Sequence, residues 1–196
     1  MLYSELQCSD AIHKAVERMG FAEMTEIQEK TIPVMMAGYD VIAKAPTGTG
    51  KTCAFGIPVA EHILPENKYP QAPTRELAQQ IAEELTELTY FMPEVQVACV
   101  YGGANMEKQA KRLAEGCQIV VATPGRLMDH YKHHSIDISH VTQIVLDEAD
   151  EMLNMGFYKD VRHIIEMMKA RKSLSMFSAT ISREVMDIGW LYQHNA

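Results

Sequence analysis

Five short apolar runs alternate with helical segments along most of the chain, and this alternation limits the fold more than any other feature. The runs lie at residues 40–45, 95–101, 118–122, 143–147 and 174–178. They are rich in Val and Ile and almost continuously apolar, which is typical of strands buried on both faces. Consecutive parallel strands need a crossover connection, usually a helix. The order therefore predicts an α/β fold with a mostly parallel central sheet and helices on both faces.

Two helices are expected before the first strand. Ser9 is a suitable N-cap for a helix that Gly20 would end, and a second helix should begin near Thr25. The sequence contains no internal repeat and no long polar linker. Residues 1–196 are therefore predicted to form one domain.

One connection breaks the alternation. Helical segments at residues 51–64 and 75–90 follow each other, and only PENKYPQAPT, with three prolines and no apolar run, separates them. A parallel sheet would place a strand there, whereas proline is disfavoured in central strands. Two interpretations remain open: two helices pack consecutively, or the chain lacks a strand immediately before Pro73.

The strongest local signal is APTGTGKT at residues 45–52, between the first predicted strand and a helix. Gly48 and Gly50 permit a tight loop whose backbone N–H groups can bind phosphates at the helix N-terminus. Lys51 would reach the β- and γ-phosphates, and the Thr52 hydroxyl would ligate Mg²⁺. Ala45 stands where the strict P-loop pattern has its first glycine.

A second signal, IVLDEAD at residues 144–150, places acidic side chains directly after a buried strand. Asp147 is expected to hold Mg²⁺ through water, and Glu148 to orient or deprotonate an attacking water. With the P-loop, these acids predict a nucleoside triphosphatase. Two alternatives stay open: a non-catalytic P-loop module that binds a partner, and a kinase acting on a small molecule.

Composition limits how nucleic acid could be bound. The chain has 18 basic and 26 acidic residues and a formal net charge of −8. This balance argues against a protein that binds nucleic acid by bulk positive charge, although a local basic site is compatible with it. No apolar stretch is long enough to span a membrane, and the N-terminus lacks the apolar run of a signal peptide.

The cysteines and histidines carry weaker signals. Cys8, Cys53, Cys99 and Cys117 lack zinc-site spacing, so they are expected to be reduced thiols of a cytoplasmic protein. The histidines at residues 130, 133 and 134 could share a helix face, but without a matching carboxylate or thiol a solvated turn is favoured over a metal site.

An ordered set of motifs gives the chain a family resemblance. The motifs are GF and MTEIQ (20–21 and 24–28), APTGTGKT (45–52), PTREL (73–77), GG (102–103), TPGR (123–126), DEAD (147–150) and SAT (178–180). In this order, and over essentially the whole chain, the sequence resembles the first RecA-like domain of the DEAD-box RNA helicases. The resemblance implies a RecA-like P-loop NTPase fold, with ATP and Mg²⁺ as cofactors.

The resemblance also implies the nucleotide-binding residues. Residues 1–30 correspond to the Q-motif region, in which Gln28 would contact the adenine edge and Tyr3 would replace a stacking Phe. Thr25 and Gln28 also fit a helix capping box, and both roles can hold together. Met24 and Glu26 stand where the family usually has prolines. The implied ATP-binding residues are Tyr3, Phe21, Thr25, Gln28, Ala45, Pro46, Thr47, Gly48, Thr49, Gly50, Lys51 and Thr52, and the implied catalytic residues are Lys51, Asp147 and Glu148.

By the same resemblance, three further motifs would line an RNA track that reads the RNA backbone and not its bases. Arg75 and Arg126 would pair with phosphates, although Thr74 could serve only as a helix N-cap and residues 123–125 could form only a turn. The implied RNA-binding residues are Pro73, Thr74, Arg75, Gly102, Gly103, Thr123, Pro124, Gly125 and Arg126. Asp150, Ser178 and Thr180 would couple the nucleotide to strand separation.

Finally, the resemblance implies two partners, RNA and a second RecA-like domain that this chain does not contain. That second domain would supply an arginine finger, a group worth roughly 10³–10⁵ in rate. We therefore expect the chain by itself to bind adenine nucleotide weakly and to hydrolyse it slowly or not at all.

Overall fold

A computed structural model describes residues 1–63 and 74–196. All five predicted strands are present, as β1 (Val41–Lys44), β2 (Val97–Val100), β3 (Ile119–Ala122), β4 (Gln143–Leu146) and β5 (Ser173–Ser178). The helices are α1 (Asp10–Arg18), α2 (Glu26–Met36), α3 (Lys51–Glu61), α4 (Arg75–Leu88), α5 (Met106–Ala114), α6 (Pro124–Lys132), α7 (Ala149–Met152), α8 (Tyr158–Met167) and α9 (Arg183–Tyr192). A π-helical turn, Leu153–Phe157, joins α7 to α8.

The first helix begins and ends as the sequence predicts, and the second begins where it was expected. The Ser9 side chain accepts a hydrogen bond from the Ile12 N–H at the start of α1. Gly20 follows the helix with a φ of +80°, a left-handed conformation that favours glycine. Thr25 is the N-cap of α2.

The strands form two parallel sets. In one set the order is β1-β5-β4, with Val41 opposite Ser175 and Val145 opposite the same residue. In the other set β2 pairs with β3, with Val97 opposite Ile119. Every strand pair among the described residues is parallel, which confirms the predicted α/β class.

Helices cover both faces of the strands. Ile119 and Val121 of β3 pack in one apolar core with residues of α1 to α4, while Val120 and Ala122 pack in a second core with residues of α5 to α9. Successive side chains of a strand point to opposite faces, so this division means that both faces are buried. All four residues of β3 are fully buried.

The sequence lacks a strand signal between the third and fourth helices, and most of this connection lies outside the described residues. The possible strand before Pro73 lies outside the described residues, between α3 and α4. Among the described residues, β4 pairs with β5 alone and β3 with β2 alone. Both strands are largely buried, so each leaves one buried edge without a described partner.

Two smaller expectations can also be compared with the structure. In the described part of the chain, no helix combines the length and the apolar character needed to cross a membrane. Cys8, Cys53 and Cys99 carry free thiols, and among residues 1–63 and 74–196 no cluster of three or more His, Cys, Asp or Glu could hold a metal ion.

Candidate functional site

The motifs singled out in the sequence meet at one edge of the strands. The P-loop follows β1, the DEAD acids follow β4 and the SAT segment starts at the last residue of β5, while GG and TPGR follow β2 and β3. Because the strands are parallel, these loops all leave the carboxyl edge. Ligands of open α/β sheets bind at that edge.

The P-loop turns tightly between β1 and α3. Gly48 and Gly50 have φ values of +81° and +82°, and Gly50 is the N-cap of α3. The Thr49 hydroxyl donates to the Pro46 carbonyl over 2.7 Å, which closes the turn. The backbone N–H groups at the start of α3 are therefore available to an anion.

Lys51 joins the P-loop to the acidic motif. Its Nζ lies 2.5 Å from Glu148 Oε1 and 3.3 Å from Asp147 Oδ1, and the ammonium group is buried. The Thr47 hydroxyl donates to the same Glu148 oxygen over 2.9 Å. Glu148 itself has a φ of +49°, a conformation that is uncommon outside glycine and that points to a constrained position.

Asp147 is the most deeply buried of these acids. Burial raises the pKa of its carboxyl above the ordinary value, and the charge of Glu148 acts in the same direction, although Lys51 opposes both. The Glu148 N–H donates to Asp147 Oδ1 over 2.9 Å and fixes the carboxylate. A buried acid of this kind gains most from a nearby cation, and perturbed groups cluster at functional sites.

Asp150 connects the DEAD segment to the SAT segment. Its Oδ2 accepts hydrogen bonds from the Thr180 N–H at 2.9 Å and from the Thr180 hydroxyl at 2.6 Å. Its own N–H donates to the Ser178 hydroxyl over 3.1 Å. Although burial acts to raise the pKa of Asp150, the hydrogen bonds that its carboxylate accepts, first of all those from Thr180, outweigh burial and lower it. The structure thus brings these three predicted residues together.

Gln28 holds the N-terminal region against the P-loop. Its Oε1 accepts from the Tyr3 hydroxyl at 2.6 Å and from the Thr25 N–H at 2.9 Å, and its Nε2 donates to the Gly50 carbonyl at 3.0 Å. The Thr25 hydroxyl donates to the Thr49 carbonyl at 2.8 Å. The helix-capping contact expected of Thr25 and Gln28 is therefore present, and one Nε2 proton of Gln28 remains for a ligand.

Two aromatic residues stand beside Gln28 with different exposure. Tyr3 is buried, while Phe21 is exposed, and their rings are nearly parallel with centroids 6.5 Å apart. The exposed aromatic face beside Gln28 is therefore that of Phe21. Tyr3, which the sequence suggested as the stacking residue, positions Gln28 through its hydroxyl.

A cavity of about 460 Å³ gathers these groups. It is lined by Tyr3, Met19, Phe21, Glu23, Thr25, Gln28, Thr47, Gly48, Gly50, Lys51, Thr52, Cys53, Leu77, Gln80, Glu84, Asp147 and Glu148. Most of the predicted nucleotide residues are in this set. Sequence reasoning missed Gln80 and Glu84, which lie three and seven positions after Leu77 and so share one face of α4.

Near β2, Arg75 is positioned by its neighbours. Its guanidinium carbon lies 5.0 Å from the centre of the Tyr101 ring, and Gln79, one turn further along α4, donates to the Tyr101 hydroxyl at 3.1 Å. A Cβ added to Gly103 would lie 3.6 Å from Arg75 Nη1. Thr74 is the N-cap of α4 and accepts from the Leu77 N–H. Pro73 lies outside the described residues.

The TPGR segment starts α6 next to the GG loop. Thr123 is the N-cap and Pro124, which is buried, is the first helical residue. Arg126 Nη1 donates to the Ala104 carbonyl at 2.9 Å and to Gln109 Oε1 at 3.1 Å. Because β2 and β3 are neighbours, the glycine pair and Arg126 lie on the same edge.

Comparisons with known proteins show the family. Residues 25–188 match the family described as DEAD/DEAH box helicase. The chain is 49% identical over 193 residues to the "ATP-dependent RNA helicase CshA" of Limosilactobacillus reuteri, a match that covers 96% of this chain and 39% of that protein. It is 46% identical over 183 residues to the "DEAD-box ATP-dependent RNA helicase CshA" of Geobacillus kaustophilus, covering 91% of this chain and 39% of that protein.

Solved structures give the same result. A DEAD box protein from Methanococcus jannaschii superposes with a TM-score of 0.92 at 40% identity, over 100% of this chain and 54% of the other. The yeast DEAD-box splicing factor Prp28 superposes with a TM-score of 0.92 at 31% identity, over 99% of this chain and 50% of the other. The chain thus spans about two fifths of the curated relatives and about half of the solved structures.

Proposed function

Because this chain belongs to the DEAD/DEAH box helicase family, we propose that it is the N-terminal ATP-binding domain of an ATP-dependent RNA helicase. In this proposal residues 1–196 form a single RecA-like domain with the Q-motif region at residues 1–30. The complete protein would couple ATP binding and hydrolysis to local unwinding of RNA duplexes or to remodelling of RNA–protein complexes.

One observation carries the proposal. The same cavity contains Gln28, the P-loop and the two acids at the end of β4, and Lys51 lies within 3.3 Å of both acids. A phosphate-binding loop beside a carboxylate pair suits hydrolysis of a nucleoside triphosphate. The second alternative, a kinase for a small molecule, is not favoured by any acceptor-binding motif in the sequence.

The base would bind at the N-terminal end of the cavity. The free proton of Gln28 Nε2 can be donated to a ring nitrogen of adenine, and the exposed face of Phe21 can stack on the base. Gln28 also donates to the Gly50 carbonyl, so a base bound to Gln28 would hold the P-loop in its phosphate-binding shape. A donor of this kind suits the ring nitrogen of any purine, and a preference for adenine would require Gln28 Oε1, which accepts from Tyr3 and Thr25, to accept also from the adenine amino group.

The residues at the other end suit Mg²⁺ bound with the nucleotide. Mg²⁺ prefers oxygen ligands and is usually held by one or two carboxylates together with substrate phosphates and water. Asp147, a buried carboxylate, and Thr52, a hydroxyl at the start of α3, provide this kind of ligand. When bound, the ion would neutralise charge on the phosphates.

Hydrolysis requires Glu148 to be released from Lys51. In the structure Lys51 and Thr47 both donate to Glu148 Oε1, so this oxygen of the carboxylate is occupied and held by the Lys51 charge. Triphosphate oxygens would compete for the Lys51 ammonium. Glu148 could then accept the proton of an attacking water.

RNA would bind across the loops that follow β2 and β3. Arg75 and Arg126 supply cations there, and the exposed Gly102 and Gly103 give access to backbone N–H groups. Thr74, Thr123, Pro124, Gly125 and Pro73 complete the proposed set. Since the net charge is −8, this local track would have to supply the attraction for phosphates.

The remaining proposals concern the complete protein. A second RecA-like domain would add an arginine finger and the other half of the RNA site, so the chain by itself should hydrolyse ATP slowly. Asp150, Ser178 and Thr180 would transmit the state of the nucleotide to the RNA.

We also propose a cytoplasmic location, which the free thiols of Cys8, Cys53 and Cys99 support.

The substitution Glu148→Gln tests the proposal in a chain that contains both domains. A helicase should lose RNA-stimulated ATP hydrolysis by at least about a hundredfold, because the general base is gone. The matched control is Glu151→Gln, which changes an exposed acid three residues away. Unchanged hydrolysis in Glu148→Gln would contradict the enzymatic proposal and favour a non-catalytic module.

A further inference from the structure

A buried polar cluster connects the two loops of the proposed RNA track, and neither catalysis nor nucleotide binding uses it. Its centre is Gln109 of α5, which is 7% exposed, and His130 of α6, which is fully buried. Gln109 Nε2 donates to the Tyr101 carbonyl at 3.0 Å, directly before the glycine pair. Gln109 Oε1 lies 3.1 Å from Arg126 Nη1 and 2.9 Å from His130 Nε2.

These contacts fix the orientation of the Gln109 amide and the tautomer of His130. A guanidinium can only donate, so the Gln109 atom that faces Arg126 must be the oxygen. The same oxygen faces His130 Nε2, which therefore carries the proton. His130 Nδ1 is then a bare acceptor, and it finds no hydrogen-bond partner among residues 1–63 and 74–196.

His130 is held in its neutral form by its surroundings. Burial lowers the pKa of its imidazole, and the positive charges of Arg126 and His133 act in the same direction against Asp129. A neutral Nε2–H donor leaves Gln109 Oε1 with two donors, one from His130 and one from Arg126. That count satisfies both lone pairs of a carbonyl oxygen.

The guanidinium of Arg126 consequently has one nitrogen that bonds within the protein and one whose donors remain available. Its Nη1 uses both protons, one on the Ala104 carbonyl and one on Gln109. Its Nη2 donors remain for another acceptor. Only 14% of the Arg126 side chain is exposed, so there is little room for the side chain to adopt another conformation.

We propose that Gln109 and His130 are positioning residues for RNA: they orient Arg126, so that Arg126 presents its free donors to one backbone phosphate. This inference rests on the proposed RNA track. His130 fixes the orientation of the Gln109 amide, and Gln109 in turn fixes the orientation of the Arg126 guanidinium. A preset guanidinium loses less side-chain entropy when it binds a phosphate.

RNA affinity of the 196-residue chain tests the proposal, measured by fluorescence anisotropy with a fluorescein-labelled single-stranded oligouridine over a series of salt concentrations. Gln109→Leu should weaken binding by about fivefold and reduce the slope of log K against log[salt] by about 0.7, the value for one phosphate on single-stranded nucleic acid. Gln118→Leu is the matched control, since Gln118 lies at the opposite end of β3. It should change neither quantity.

Two more variants separate positioning from simple loss of structure. His130→Leu should weaken binding as Gln109→Leu does, whereas His130→Gln keeps a donor near the Nε2 position and should restore affinity to within about twofold. In an Arg126→Ala background, Gln109→Leu should have no further effect, because the two changes remove the same contact. Additive losses would overturn the proposal, as would equal losses in both His130 variants.

The RNA affinity of Arg126→Ala alone shows whether a failure lies in the proposed RNA track or in the positioning role of Gln109 and His130. If Arg126→Ala binds RNA as the unmodified chain does, the proposed RNA track is wrong. If Arg126→Ala weakens binding and Gln109→Leu does not, only the positioning role is wrong. Independently of RNA, long-range ¹H–¹⁵N NMR correlation should show the Nε2–H tautomer of His130, and an Nδ1–H tautomer would overturn the proposed cluster.

Discussion

The Lys51 ammonium and the Glu148 carboxylate form a buried pair, with 2.5 Å between Nζ and Oε1, across a sequence separation of 97 residues. The pair joins the loop after β1 to the loop after β4, although β5 lies between those two strands. Once a nucleoside triphosphate is bound, Lys51 would be needed to bind its phosphates and Glu148 to accept a proton from the attacking water. Nucleotide binding and release of this pair should therefore be linked.

This linkage predicts that Glu148→Gln binds ATP more tightly than the unmodified chain. The neutral amide competes less well for Lys51 and removes a negative charge close to the phosphates, and Asp147 remains to pair with Lys51. We expect affinity to rise about tenfold, equivalent to about 1.4 kcal/mol. Titration with a fluorescent ATP analogue measures the change. Glu151→Gln should leave affinity unchanged, and weaker binding by Glu148→Gln would contradict the linkage.

Asp150 should make folding stability depend on pH. Its folded pKa is lowered, so its ionised form adds stability above the ordinary pKa of about 3.9, and that stability is lost as the pH falls through the folded pKa. Asp150→Asn should therefore cost about 2 kcal/mol at pH 7, the value of hydrogen bonds to a charged group. The cost should shrink as the pH falls below about 4.

Urea unfolding at several pH values measures this effect. The control is Asp187→Asn, which changes an exposed carboxylate on α9 and should have the same small effect at every pH. A cost of Asp150→Asn that stays constant from pH 7 to pH 3 would show that its hydrogen bonds do not depend on the charge.

Two glycines of the P-loop should respond differently to the same substitution. Gly48 and Gly50 have nearly equal φ values of +81° and +82°, so alanine brings similar backbone strain at both. At Gly48 an added Cβ meets open space, whereas at Gly50 it would lie 2.5 Å from Gln28 Nε2 and 3.2 Å from Thr25 Oγ1. Gly50→Ala must therefore also displace Gln28.

Thermal unfolding and nucleotide titration of both variants check this difference. Gly48→Ala should destabilise the chain by about 1–2 kcal/mol. Gly50→Ala should cost about 1–3 kcal/mol more, as overpacked sites do. Gly50→Ala should also lose the preference for adenine over guanine nucleotides if Gln28 reads the base. Equal losses of stability in the two variants would show that Gln28 can move away from an added Cβ without a loss of free energy.

The connection between α3 and α4 predicts low stability for this sequence. Losing a central parallel strand would leave backbone groups of its neighbours unpaired, and the connecting sequence PENKYPQAPT has three prolines and no apolar run. We expect a free energy of unfolding below about 5 kcal/mol, the lower limit of the usual range. Insertion of four β-branched residues between Ala72 and Pro73 should raise it, while a Gly-Ser insertion of equal length should not. A cooperative and highly stable transition of the unmodified chain would contradict the missing-strand interpretation.

Much of the fold could be predicted from the sequence because its signals are local. Buried parallel strands are short apolar runs: four of the five predicted runs contain their strand completely, and β5 begins one residue before its run. The phosphate-binding turn was equally predictable, since Gly48 and Gly50 allow the positive φ values that the turn requires. Both signals depend on residues that are adjacent in the chain.

The parts that could not be predicted depend on tertiary contacts. Gln80 and Glu84 line the cavity because α4 packs beside the P-loop, and an exposed helix face gives no sign of this in the sequence. The solvated turn suggested for the histidines was wrong for His130, which is buried against Gln109. Nothing in the spacing of residues 109 and 130 indicates that they touch.

The central claim is that this chain binds an adenine nucleotide through Gln28, the P-loop and the acids after β4. Isothermal titration calorimetry of the 196-residue chain with ADP, ATP and GTP in the presence of Mg²⁺ tests it most directly, with Lys51→Ala as the second protein. We predict one site per chain, at least about tenfold weaker binding of GTP than of ATP, equivalent to about 1.4 kcal/mol, and no detectable binding of either by Lys51→Ala. Equal affinity for ATP and GTP, or undiminished binding of ATP by Lys51→Ala, would contradict the claim.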